Sequence, residues 1–270
     1  MRENMRTVSI AFSPCPNDTF IFHAMLHGLV DTGDFQFETH LHDVETLNDS
    51  AFTGRFDITK LSFHAYLYLK NKYDLMNSGS ALGFGCGPLL VKAQSEKRVE
   101  DMLIAIPGEY TTAYMLLKLW NPAIDNIAPV RFDKIMDGVK TGKYDSGLII
   151  HEGRFVYKNY GLQQVIDLGE WWERETSFPI PLGCIAVKND RFTKEEKSEL
   201  DAILKSSIQY AFNNRDASEE FIKRYSQELD DEVIENHIRL YVNEFSIDLG
   251  EKGRDAVKRL EEMAKERHII

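Results

Sequence analysis

The chain has 270 residues, 43% of them hydrophobic and 28% charged, with a net charge of −11. That length calls for one large α/β domain or for two lobes. The acidic balance argues against nucleic acid and anionic membranes as partners, since both demand basic patches, but leaves anionic small molecules open.

A polar N-terminus leads into a first buried strand over 8–12, a run too short for a signal-peptide core. The turn Ser13-Pro14-Cys15-Pro16-Asn17-Asp18 follows, because two prolines fix φ and remove donors. A helix over 19–27 then ends at Gly28. Alternation predicts a strand over 35–41, and Asp43 is a good N-cap for a helix over 44–53. A short strand over 58–61 comes next, with Ser62 placed to cap a helix running to Leu69. After the glycines between Gly79 and Gly87 come a strand over 89–93 and a polar connector over 94–101. A second unit begins with a strand over 103–106 and a helix from Thr111 or Thr112 to Leu119, and it runs to about Phe178. A strand over 182–187 carries the chain back to the first lobe. The tail is helical: Thr193 and Glu196 form a capping box, apolar spacing continues through Ile222, and two more helices are predicted over 232–245 and 253–267.

Strands alternating with helices predict mostly parallel sheets covered on both faces. One segment occurs twice. Thr-Gly-Arg-Phe-Asp at 53–57 and Thr-Gly-Lys-Tyr-Asp at 141–145 each follow a helix and lead into a short strand. The first strand ends on Ser62 and the second on His151, which suggests two α/β lobes facing each other. The lobes are expected to be 1–93 with 182–270, and 94–181. Two crossings between lobes make a hinge, and the ligand belongs in the gap, beyond the carboxyl ends of the strands.

Four strand ends are therefore candidates for chemistry. In the first turn, Asn17 and Asp18 either face a ligand or cap the helix. At the second, Lys60, Leu61 and Ser62 stand where strand becomes helix: Ser62 offers a hydroxyl and Lys60 positive charge, against the plainer reading of an N-cap serine and a surface lysine. At the third, Pro107-Gly108 precedes Thr111 and Thr112, where free N–H groups at a helix start favour a carboxylate. At the fourth, His151 ends a buried strand beside Glu152, either as an imidazole tuned across neutral pH to serve as a general base or as a structural histidine bonded to backbone. The pairs His23/His27 and His40/His42 lack an evident third metal ligand, and HExxH, P-loop and GxSxG motifs are absent. Trp171 and Trp172 read as a core pair in preference to a wall of the cleft. Cys15, Cys86 and Cys184 are odd in number and widely spaced, which favours reduced thiols and a cytoplasmic location.

Together, the residues from Ser13 to Phe20, the run Asp43-Val44-Glu45-Thr46-Leu47-Asn48, Thr59 to Ser62, Gly87-Pro88-Leu89, Pro107-Gly108 with Thr111-Thr112, and Ile149 to Glu152 resemble the 1,4-dihydroxy-6-naphthoate synthases of menaquinone biosynthesis. The resemblance spans 8–187 in the expected order. It implies a two-lobed fold like the type II periplasmic binding proteins, with a mixed, mostly parallel sheet in each lobe. It implies a carbon–carbon lyase that converts cyclic dehypoxanthine futalosine to 1,4-dihydroxy-6-naphthoate and releases a three-carbon sugar fragment. His151 would be the proton acceptor, 60–62 and the threonine pair would bind substrate, and no redox cofactor or metal would be required. The rivals are a non-catalytic carboxylate-binding protein of the same fold and the related chorismate dehydratase.

Overall fold

The computed structural model describes residues 5–226 and 230–270. The chain opens with β1 (Arg6–Phe12), α1 (Pro16–Leu26), β2 (Phe35–Leu41), α2 (Val44–Phe52), β3 (Ile58–Ser62) and α3 (Phe63–Leu69). Two three-residue strands, β4 (Tyr73–Leu75) and β5 (Ala81–Gly83), follow, then β6 (Leu89–Lys92). Next come β7 (Ile104–Ile106), α4 (Thr112–Trp120), β8 (Ile127–Pro129), α5 (Ile135–Lys140), β9 (Ser146–Ile149), α6 (Gly153–Val156), β10 (Gln163–Asp167), α7 (Leu168–Thr176) and β11 (Ile180–Lys188). The tail consists of α8 (Lys194–Asn213), α9 (Glu219–Tyr225), α10 (Asp231–Tyr241), α11 (Glu244–Ile247) and α12 (Gly250–Glu266).

The strands form two sheets. One has the order β2-β1-β3-β11-β4, with β5 also paired to β11; the other has the order β10-β6-β9-β7-β8. Both are mixed. In the first, β1 pairs parallel with β2 and β3, while β11 runs antiparallel to β3, β4 and β5. In the second, β7 pairs parallel with β8 and β9, while β6 runs antiparallel to β9 and β10. Each sheet thus has a single reversed strand among the described residues, and all the others run one way. The reversed strands, β6 and β11, are those that begin just after the chain crosses between sheets. The strand Leu89–Lys92, expected with the first lobe, is paired in the second sheet, so the first crossing lies ahead of Leu89 and not at 93/94.

The two copies of the repeated segment occupy equivalent places. Each ends a β-α-β-α-β unit whose strands lie in the order second-first-third, as right-handed crossovers require. Thr53 and Thr141 are the C-cap residues of α2 and α5. Gly54 and Gly142 take left-handed φ values of 66° and 75°, open to glycine at no steric cost. Arg55 lies over the ring of Phe56, and Lys143 over that of Tyr144. Asp57 accepts from Ser9 N in β1, and Asp145 from Leu103 N, the residue just ahead of β7, so each loop is tied to the start of its own unit.

Caps explain the helix boundaries, including the unexpected ones. Asp43 accepts from Glu45 N and Thr46 N, and Thr193 completes the predicted capping box. Proline at the first helical position starts α1 at Pro16 instead of residue 19. The helix expected to continue to Ile222 breaks at Asn214, whose side chain bonds Tyr210 O. The one expected over 232–245 divides because Asn243 caps α11. One apolar core joins residues of both sheets to α12, among them Leu61, Leu90, Trp172 and Leu260. Trp172 is fully buried and donates from its indole to Pro179 O, so it is a core residue. Among the described residues, no helix is long and apolar enough to cross a membrane.

Candidate active site

The carboxyl ends of β1, β3, β7 and β9, drawn from both sheets, lead to one cavity. All eight residues singled out from the sequence line it: Asn17, Asp18, Lys60, Leu61, Ser62, Thr111, Thr112 and His151. Leu182 and Gly183 of the returning strand, Cys86 and Pro88 of the first crossing, and Tyr241 of α10 complete much of its wall.

On the first-lobe side, Asp18 is wholly buried and fully engaged. One carboxylate oxygen accepts from Ser13 N at 3.1 Å and Ser13 Oγ at 2.7 Å; the other accepts from Asn17 Nδ2 at 2.8 Å and Lys60 Nζ at 2.5 Å. Asp18 therefore clamps the proline-rich turn, and Cys15, not Asn17 or Asp18, is the N-cap of α1. The Lys60 side chain is 8% exposed, and its ammonium charge is met by Asp18. Ser62 begins α3, yet its hydroxyl caps nothing. Its N–H donates to Asn48 Oδ1 at 2.9 Å, and its hydroxyl accepts from Asn48 Nδ2 at 3.2 Å.

On the second-lobe side, Thr111 is the N-cap of α4, accepting from Tyr114 N and donating its own hydroxyl to Gly108 O at 2.7 Å. Thr112 donates to Leu182 O at 2.7 Å and accepts from His64 N at 3.3 Å. Both threonine hydroxyls are thus taken up by the protein, and what the start of α4 offers a ligand is its backbone N–H groups and dipole. Glu45, from α2, accepts from Tyr110 N at 3.0 Å and from Asn48 at 3.0 Å, joining the lobes beside the cavity. Burial raises its carboxyl pKa.

His151 follows β9 with a left-handed φ of 56°. Its ring lies 5.1 Å from that of Phe132 and parallel to that of His237 at 6.0 Å. Burial pushes its pKa down to about 4, with Asp18 opposing and Lys60 reinforcing the shift. The imidazole is neutral at neutral pH and able to accept a proton. His237, on α10, was not a sequence candidate. It is fully buried, its pKa is held well below the usual value by burial, and its Nε2 donates to Asn17 Oδ1 at 2.9 Å. The only signal for it was its place on the apolar face of an amphipathic helix, the ordinary signature of core.

The three thiols are free and buried. Burial raises all of them, Cys86 to about 12, so they stay protonated at neutral pH. His23 and His27 lie tilted against each other beside Phe221, and His40 and His42 lie against Phe56. Among the described residues, no group of three or more His, Cys, Asp or Glu side chains could hold a metal ion.

Two open sheets, with polar strand ends and helix starts converging on one cavity, define a two-lobed α/β protein of the periplasmic-binding-protein type. Solved structures agree on that fold: an alkanesulfonate-binding protein of Xanthomonas axonopodis, 13% identical, superposes with a TM-score of 0.71 over 97% of this chain and 93% of its own. The chain belongs to the menaquinone-biosynthesis family, which it matches over residues 8–266. A relative in Thermus thermophilus described as 1,4-dihydroxy-6-naphtoate synthase is 44% identical over 95% of this chain and 93% of its own. One of the same description in Streptomyces coelicolor is 39% identical over 94% and 91%. A crystal structure of a protein from Archaeoglobus fulgidus, 37% identical, covers both chains completely with a TM-score of 0.91.

Proposed function

We propose that the protein converts cyclic dehypoxanthine futalosine to 1,4-dihydroxy-6-naphthoate in menaquinone biosynthesis, acting as a carbon–carbon lyase. The observation that carries this reading is the neutral His151 imidazole on the cavity wall, in a chain 44% identical to a protein so described. His151 takes a proton from the sugar portion of the substrate. Loss of the three-carbon fragment and aromatisation of the ring follow. A positioned base contributes about 10²–10⁴-fold to such a step.

The naphthoate carboxylate is assigned to the start of α4, since the Lys60 charge is already met by Asp18. The dipole and free N–H groups there favour an anion by about 0.3–1 kcal/mol, and by up to about 2 kcal/mol when partly buried. Lobe closure would exclude water from the reacting centre. The lobes are assigned as the two sheets with their helices, and three buried thiols support a cytoplasmic location.

The test is incubation with cyclic dehypoxanthine futalosine, followed by the absorbance of the naphthoate product. His151→Asn is the matching variant, because asparagine tolerates the left-handed backbone found there. It should bind substrate with near-normal affinity and lose at least ~10²-fold in kcat. Near-normal turnover would remove His151 as the base, and no product from the folded wild type would favour a non-catalytic binding protein.

A further inference from the structure

A general base usually has a hydrogen-bonded partner that fixes its ring. His151 has none: among the described residues, nothing hydrogen-bonds its imidazole, and its backbone sits in a left-handed conformation that a non-glycine residue adopts only when its surroundings hold it there. What holds it is packing and one backbone contact. Phe132 covers the ring from one direction, and His237 lies parallel to it within 2°. Tyr241 Oη donates to the His151 carbonyl at 3.4 Å. His237 and Tyr241 are one helical turn apart on α10, on the same face, with their rings 4.6 Å from each other.

We propose that His237 and Tyr241 of α10 are positioning residues for the base, His237 walling the His151 ring and Tyr241 holding its carbonyl. The proposal rests on the reading of His151 as the base. His237 is itself locked by the cavity. Asn17 donates through its amide to Asp18, so its carbonyl oxygen is free to accept, and His237 must carry its proton on Nε2. Its Nδ1 is then bare, buried and without a hydrogen-bond partner, 3.9 Å from Glu152 Oε2. The connection runs from Lys60 and Asp18 through Asn17 to His237, and from there by ring contact to His151. A helix from the tail thereby couples the first-lobe ion pair to the second-lobe base. A surface or purely core role would not require a buried imidazole with one nitrogen unpartnered, since leucine or phenylalanine would fill that space without the desolvation cost.

The experiment is an NMR titration of ring-labelled histidines in the full chain, together with steady-state kinetics. The ionisable groups that act on the two rings or lie against them are Asp18, Lys60, Glu152 and Tyr241, all retained in the His237 variants. His237→Gln keeps an amide donor for Asn17 but removes the ring. Water then reaches a further side of His151, already partly exposed at the cavity, which lessens the burial that depresses it, and its midpoint should rise by ~1 unit or more from about 4. The kcat should fall ~10-fold or more with KM within ~3-fold, the signature of lost alignment rather than lost binding. His237→Phe keeps the ring wall, and the His151 midpoint should stay within ~0.3 unit of the wild type. Tyr241→Phe should cost ~2–5-fold in kcat, the worth of one long hydrogen bond. An unmoved midpoint in His237→Gln, or an equal rise in His237→Phe, overturns the proposal, as does an unchanged kcat in His237→Gln. Should wild type fail to make naphthoate, the functional reading falls while the titration still decides whether α10 holds His151.

Discussion

Replacing Lys60 by methionine tests the buried ion pair that anchors the first-lobe side of the cavity. Asp18 is wholly buried and the Lys60 side chain is 8% exposed, with the charged atoms 2.5 Å apart. Methionine matches the apolar stem but leaves the carboxylate with only the neutral donors of Ser13 and Asn17. Breaking one side of a buried pair costs about 3–5 kcal/mol, because the remaining charge stays desolvated. With an unfolding entropy near ~2.1 cal/mol/K per residue, a chain of 270 residues loses ~2 °C of Tm per kcal/mol. The expected drop is therefore ~5–9 °C by calorimetry at pH 7. Asp18→Asn combined with Lys60→Met should recover part of that loss, because no uncompensated charge then remains. The double-mutant cycle should show coupling of ~2 kcal/mol or more. A Lys60→Met melting temperature within ~2 °C of wild type, or strict additivity of the two substitutions, would refute the view that Lys60 serves Asp18 before it serves a ligand.

His64 should make stability fall with acid. Burial pushes its pKa to about 4, so the unfolded chain takes a proton near its ordinary 6.5 while the folded chain does not; its stabilisation is complete above 6.5 and lost as pH falls toward 4. Wild type should lose about 2 kcal/mol more than His64→Asn between pH 7 and pH 5 in urea unfolding, and equal losses would discount the shift. Gly87→Ala would set a Cβ 2.3 Å from the backbone of Gly169, at the first crossing between sheets. It should cost ~1–3 kcal/mol or more of stability, and a melting temperature equal to wild type would mean that the crossing yields easily.

The site was legible to the extent that local grammar exposes it. Asn17, Asp18, Lys60, Ser62, Thr111, Thr112 and His151 all stand at strand-to-helix junctions, where proline, serine, threonine and glycine punctuate apolar runs. The topology then brings those junctions to one cavity. Roles were less legible than places. Thr111 and Ser62 both look like caps in sequence, yet only Thr111 caps, because Asn48 occupies the Ser62 hydroxyl from fourteen residues away. His237 was illegible because a buried polar imidazole and a core residue share the same helical spacing with Ile234, Ile238 and Tyr241. The strands β4, β5 and β8 are three residues long, too short for a period-two signal. The placement of β6 depended on antiparallel pairing with β9 and β10, which no local pattern encodes.

The repeated segment explains both the symmetry of the frame and where it stops. Through the aspartate, the two copies do the same work: cap, left-handed glycine, cation over a buried ring, and carboxylate tied to a backbone N–H in or just ahead of the unit's first strand. After the strand they part. Ser62 has ordinary extended angles and passes directly into α3, whereas His151 turns through left-handed space before α6. That conformation costs a non-glycine residue about 1–3 kcal/mol. A fold seeking only stability would place glycine there, as it does in the turn of each repeat. The frame thus tolerates strain after β9, where His151 sits, and relieves it everywhere the two copies agree. The strained copy is the one expected to react, and the relaxed copy the one expected to bind.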